Sequence, residues 1–357
     1  MNTVDPRAAH EANDPQSATH KGNPTGFRNP QFVMDGHQDA LYYATMHGGT
    51  ARFDAGWAGA QLDLPGLRAG GVDAAFWAIF GAGEVRPTHD PAACAAEVDT
   101  LLAGYRAWID GNPAYHLIGD AADLVALADA VHETTAAPRP LGVLLHCEGA
   151  RGIAGPEHLA ALHARGLRSV GLTWNEANAY ATGAHGDPAG GLTPAGRDLV
   201  RTLNALHMVV DAAHLNRQGL WDLLDVATAP VLVTHTGCAA LHADPRNISD
   251  DQIRAIAATG GLLGIFLVNS FLAPAGAPVT VATVLAHYDH LLDLVGPAHV
   301  ALGTDYGGVS SGLPAGLATA ADLPRLVAAC AAHGYSAATI QALCGGNYRR
   351  VLATILG

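Results

Sequence analysis

The chain has 357 residues, 49% hydrophobic and 14% charged, which supplies a large core and excludes global disorder. Its formal net charge of -13 argues against nucleic-acid or anionic-membrane partners. Five scattered cysteines (Cys94, Cys147, Cys238, Cys330, Cys344) lack CxxC spacing and point to a reduced, cytoplasmic protein, and no apolar run reaches transmembrane length.

Residues 1–26 are poor in large apolar side chains and lack a signal-peptide core, so they read as a mobile arm ahead of one domain over 27–357. PQFVMDGHQDA is a first strand ending near Met34, followed by His37 and Asp39. Two residues apart on extended backbone, these side chains point the same way and can chelate one cation. A short helix is expected around Leu62–Arg68, then a buried strand in VDAAFWAIF. PAACAAEVDTLLAGYRAWID and DAADLVALADAVHETT are alanine-rich helices. PLGVLLHCEGA is a third strand running into Glu148, a carboxylate that packing alone does not explain; an ion pair with Arg151 is the bland alternative. His146 reads as barrel lining. After the PEHLAALHARG helix, LRSVGLTWN is strand four, and a long Gly- and Ala-rich loop leads to a helix opened by Thr193 and Pro194.

HMVVDA and PVLVT are strands five and six, each leading to a histidine, His214 and His235, with a helix between. Ser249 caps the next helix. GLLGIFLVN and HVALGTD are strands seven and eight, the last ending in Asp305, and the remainder is helical. Eight strand-like runs alternating with helices predict a (β/α)8 TIM barrel; a doubly wound sheet of six or seven strands is the alternative.

All six polar residues follow strands, and in a barrel those ends share one mouth. Three imidazoles and three carboxylates there suit divalent ions such as zinc. If Glu148 bridges, one site is His37, Asp39 and Glu148, and the other is Glu148, His214 and His235. Two ions roughly 3.5–4 Å apart share a hydroxide and polarise a carbonyl. Asp305 is then placed to move the proton to a leaving amine.

The motifs DGHQD, HCEGA, LTWNEAN, GGLTPAG, VVDAAH, THTGCAALHADPRNISDDQI and ALGTDYGG, in this order, resemble the membrane (renal) dipeptidase family, peptidase family M19, among the amidohydrolase-type barrels. The resemblance implies a binuclear zinc centre on His37, Asp39, Glu148, His214 and His235, with Glu148 bridging and Asp305 as acid/base. It assigns Arg246 to the substrate carboxylate, where an ion pair ordering the loop is the other reading. Many members have His where this chain has Trp174; Asn175 and Asn178 are neighbours able to offer amide donors, or simply to order the loop.

The function implied is a zinc-dependent dipeptidase acting on small dipeptides, with tolerance for a C-terminal D-residue. Trp174 keeps open a hydrolase of another small amide, an N-acyl amino acid or lactam. A metal-stabilised binding protein without catalysis is the third reading, and Asp305 speaks against it. A homodimer is the default expectation for such barrels.

Overall fold

The computed structural model describes residues 32–85, 90–131, 138–309 and 312–357; the expected arm over 1–26 lies outside them. The described residues form nine parallel strands: β1 (Met34–Gln38), β2 (Ala74–Ile79), β3 (Tyr115–Leu117), β4 (Leu141–Cys147), β5 (Leu167–Gly171), β6 (Val209–Asp211), β7 (Leu232–Thr236), β8 (Leu262–Ile265) and β9 (Val300–Leu302). Eight follow the order β1-β2-β4-β5-β6-β7-β8-β9. The ring closes between its ends: Gln38 bridges Tyr306, the Asp39 amide donates to Tyr306 O at 3.0 Å, and the Asp305 amide donates to His37 O at 3.1 Å. This is the expected (β/α)8 barrel, not a doubly wound sheet.

The ninth strand, β3, is the difference from the sequence reading. β4 begins at Leu141, but β5 joins its edge only from Leu145. Tyr115–Leu117 pairs with Leu141–Val143 and covers the edge that β5 leaves open. Three residues are too few to show a period.

Alternation within the strands sorts the two sides of the barrel wall. Met34, Ala74, Phe76, Leu144, Val209, Leu232, Leu262 and Ala301 form one apolar cluster with the C-terminal helix Asn347–Leu356, which closes the bottom. Val33, Ala75, Trp77, Val143, Leu145, Val210 and Val233 face the outer helices. Helix starts follow their caps: Thr193 accepts from the Gly196 amide, and Ser249 with Gln252 forms a capping box. No helix among the described residues is long and apolar enough to cross a membrane.

Candidate metal centre and cleft

The strand ends opposite the C-terminal helix are polar. His37 is the next-to-last residue of β1 and Asp39 follows the strand. Glu148 follows β4, His214 follows β6, His235 lies in β7, and Asp305 follows β9. Strand parity alone does not aim these groups. β1 breaks register between Asp35 and Gln38, and β7 between Val233 and Thr236. Bulges of this kind turn a side chain out of strict alternation, and here they occur where His37 and His235 stand. His214 and Asp305 both have φ 65°, two of three such non-glycine residues among those described. Backbone strain of this sort costs on the order of 1–3 kcal/mol per residue and concentrates at functional sites.

Glu148 stands in the middle. Its Oε2 is 3.6 Å from His37 Nε2, while its Oε1 is 3.0 Å from His214 Nε2 and 3.7 Å from His235 Nε2. Asp39 Oδ2 lies 3.5 Å from His37 Nε2. The ligand-type atoms of His37, Glu148 and His235 fall within 4.8 Å of one another, as do those of His37, Asp39 and Asp305. Arg151 does not pair with Glu148: its amide donates to Glu84 and its guanidinium lies 3.9 Å from that carboxylate. Burial pushes Glu84 up to about 7, and the Arg151 amide opposes this. Gly149, at φ 89°, leaves room for Glu84, whose Cδ would sit 2.3 Å from a Cβ there.

The imidazoles are oriented from behind. The Thr234 hydroxyl donates to Asp211 Oδ2 at 2.6 Å, so it accepts from His235 Nδ1 at 2.9 Å. Asn175 Oδ1 accepts from His214 Nδ1 at 2.8 Å. Each Nδ1 therefore carries the proton, and each Nε2 presents a lone pair. Those two Nε2 atoms are only 2.9 Å apart. Two lone pairs facing at that distance repel unless a proton or cation lies against them. Burial depresses both rings, His214 to about 3 with help from Arg246, so the proton is not the favoured answer near neutral pH. Both nitrogens of the fully buried His37 also lack hydrogen-bond partners among the described residues. This donor set fits divalent cations. His146 is different: its Nδ1 lies 2.9 Å from Ser169 Oγ inside the barrel, and its Nε2 is 3.5 Å from Asp211.

Asp305 sits on the cleft floor. Loss of hydration, then Asp39 and Glu148, push its carboxyl up to about 8, opposed by His37 and Arg246. Gly308 makes its approach feasible: a Cβ there would lie 2.3 Å from Asp39 Oδ2 and 2.9 Å from Asp305 Oδ1.

Above this floor opens a cleft of about 430 Å³, walled by Tyr42, Phe80, Val85, Trp174 and Phe271. Trp174 is on the wall, 6.1 Å ring to ring from His214. Arg246 is buried, its guanidinium 5.9 Å from the rings of Phe266 and Phe271 and its Nη2 donating to His235 O at 3.4 Å, with Nε unpartnered among the described residues. Asn178, expected at the substrate, is not on the wall. Its Nδ2 donates to Leu172 O, and its Oδ1 accepts from the Tyr180 and Ala181 amides, so the loop takes up its hydrogen-bonding capacity. Sequence reading did not find Thr234, Asp211 or the tie from Asn175 to His214, because these partners are side chains met across strands. The buried Thr before His235 was the only available signal.

A family model described as membrane dipeptidase (peptidase family M19) matches residues 28–356. An uncharacterized protein in the pqqA 5' region of Klebsiella pneumoniae is 39% identical over 225 residues, 60% of this chain and 82% of that protein. Dipeptidase verJ of Clonostachys rogersoniana is 27% identical over 340 residues, 90% of this chain and 84% of that one. The structure of a metallo peptidase from Rhodobacter sphaeroides, liganded with a phosphinate mimic of the dipeptide L-Ala-D-Ala, matches with a TM-score of 0.80 and 29% identity, covering 91% of this chain and 99% of that chain. With the family model spanning nearly the whole chain and the barrel shared with these relatives, the chain belongs to the membrane dipeptidase family, M19, and is a metal-dependent dipeptidase.

Proposed function

We propose that the protein hydrolyses small dipeptides, including those with a C-terminal D-residue, at a centre of two zinc ions bridged by Glu148. His37 and Asp39 hold one ion with Glu148, and His214 and His235 hold the other. The observation that carries this reading is Glu148 itself, with one oxygen toward His37 and the other toward the close Nε2 pair of His214 and His235. When bound, such ions would polarise a carbonyl and lower the pKa of a bound water.

The chain's own residues supply the rest. Without a cation, burial and the neighbouring carboxylates push the Asp305 carboxyl up to about 8; at the loaded centre it would take the proton of the attacking water and deliver it to the departing amine. Cations would draw that pKa down, which suits a group that must also take up a proton. Arg246 has buried charge and a free Nε; we assign it to the substrate carboxylate. Trp174 contributes surface and one N–H donor, but no base. The L-Ala-D-Ala mimic held by the Rhodobacter relative supports the D-residue reading. Trp174 on the wall also supports the second reading, another small amide such as an N-acyl amino acid or lactam; gain of dipeptide turnover in Trp174→His would favour it.

We take residues 27–357 as one domain. The five cysteines are free and buried, which fits a cytoplasmic setting, and sedimentation would check the expected homodimer. The deciding experiment is metal analysis of protein purified without added zinc, followed by a dipeptide panel. Two equivalents of zinc with hydrolysis are expected. A single equivalent would overturn the Glu148 bridge, and fully loaded protein that cleaves no dipeptide would overturn the activity.

A further inference from the structure

Among the described residues, five large hydrophobic side chains are exposed: Tyr42, Met46, Val85, Val125 and Leu241. Tyr42, Met46 and Val85 line one groove, of about 720 Å³, beside the catalytic cleft. Grouped exposure of this kind marks a binding surface, whereas scattered single residues do not. The groove continues the cleft: Tyr42, Phe80 and Val85 line both. Ring contacts run inward from it, with Tyr42 edge-on to Phe80 at 6.5 Å, Phe80 to Trp174 at 5.5 Å, and Trp174 to His214 at 6.1 Å.

We infer that this aromatic corner selects substrates carrying one bulky apolar side chain, aromatic or branched aliphatic, which lies along Phe80 and Trp174 and extends into the outer groove. The inference rests on the dipeptidase reading above and names its substrate class. Charge supports the choice. The acids lining the cleft are Asp39, Glu148 and Asp305, all on the floor, and no Lys or Arg lines it among the described residues. Away from that floor, at the wall of Tyr42, Phe80, Val85, Trp174 and Phe271, the described lining offers a side chain no charged partner. Glu97, the one charged lining residue of the groove among the described residues, accepts from the Ala82 and Gly83 amides at 2.9 and 3.1 Å, so it is engaged and offers a basic side chain little. An apolar group there covers exposed hydrophobic surface and needs no partner.

The test uses zinc-loaded full-length protein and dipeptides matched except at one side chain: Phe or Leu against Asp or Lys, placed in turn at each position. At one position, kcat/KM for Phe or Leu should exceed that for Asp and Lys by about 10- to 100-fold. Tyr42→Ser and Val85→Asp alter exposed positions and should fold; each should shrink that ratio several-fold. Dipeptide cleavage with equal kcat/KM for apolar and charged partners at both positions would overturn the inference and leave the dipeptidase reading standing. So would a ratio unmoved by both variants. No cleavage of any dipeptide by the loaded protein would overturn the dipeptidase reading, and the inference with it.

Discussion

The two ends of the barrel are built from the same strands yet obey opposite rules. At the bottom, Met34, Phe76, Leu144 and Val209 meet Tyr348 and Leu352 of the C-terminal helix in a dry cluster. At the top lie facing lone pairs, like-charged carboxylates and two residues with φ 65°. A strand such as β6 passes from one regime to the other within three residues, from Val209 to Asp211. The bottom gains stability from burial of apolar surface, so the top can hold groups that oppose folding until a ligand joins them.

This contrast can be broken at either end. Asp305→Asn should lower kcat about 10²- to 10⁴-fold while zinc content, read by mass spectrometry, stays at the wild-type value. If the variant keeps its rate, Asp305 is not the proton carrier. Leu144→Ala, at the bottom, should cost about 2–5 kcal/mol in denaturant unfolding, with zinc per folded molecule unchanged. Loss of metal in step with stability would show that the ends are not separable. Thr234→Val keeps shape but removes the hydroxyl that fixes His235. Zinc affinity, measured by chelator competition, should fall about 10- to 100-fold, and the metal-free protein should lose about 1–3 kcal/mol because the buried Asp211 Oδ2 and His235 Nδ1 each lose a partner.

A further effect is expected from pH on metal-free protein. The folded pKa of Asp305, about 8, lies above that of an ordinary carboxyl. The native state then binds more protons than the unfolded state between those values, so this contribution to stability declines as pH rises from about 4 toward 8. Metal-free Asp305→Asn should therefore melt higher than metal-free wild type at pH 8, and the gap should close toward pH 4. Equal melting temperatures at pH 8 would refute the raised Asp305 pKa that burial and the neighbouring carboxylates impose.

The sequence reading located the top by residue type at strand ends: His37, Asp39, Glu148, His214, His235 and Asp305 do converge. It went no further because convergence depends on features without a local pattern. The bulges beside His37 and His235 break the period-two argument that first grouped His37 with Asp39. Asn178 and Asn175 look alike in sequence, yet one ties down its own loop and the other holds His214. Arg151 stands three residues from Glu148 but pairs with Glu84, from the short helix Ala82–Val85 after β2. β3 exists because β5 starts late along β4, a property of the sheet and not of Tyr115–Leu117.

The seam between β1 and β9 has a consequence for biosynthesis. Thr304 and Asp35, 269 positions apart, are hydrogen-bonded at that seam, and the Asp305 amide rests on the His37 carbonyl there. A ribosome must therefore release almost the entire chain before the first ion site and its neighbouring acid face each other. Products that stop short of Asp305 cannot assemble that pocket, so retention of the proposed metal through a gel-filtration column would separate finished from unfinished chains.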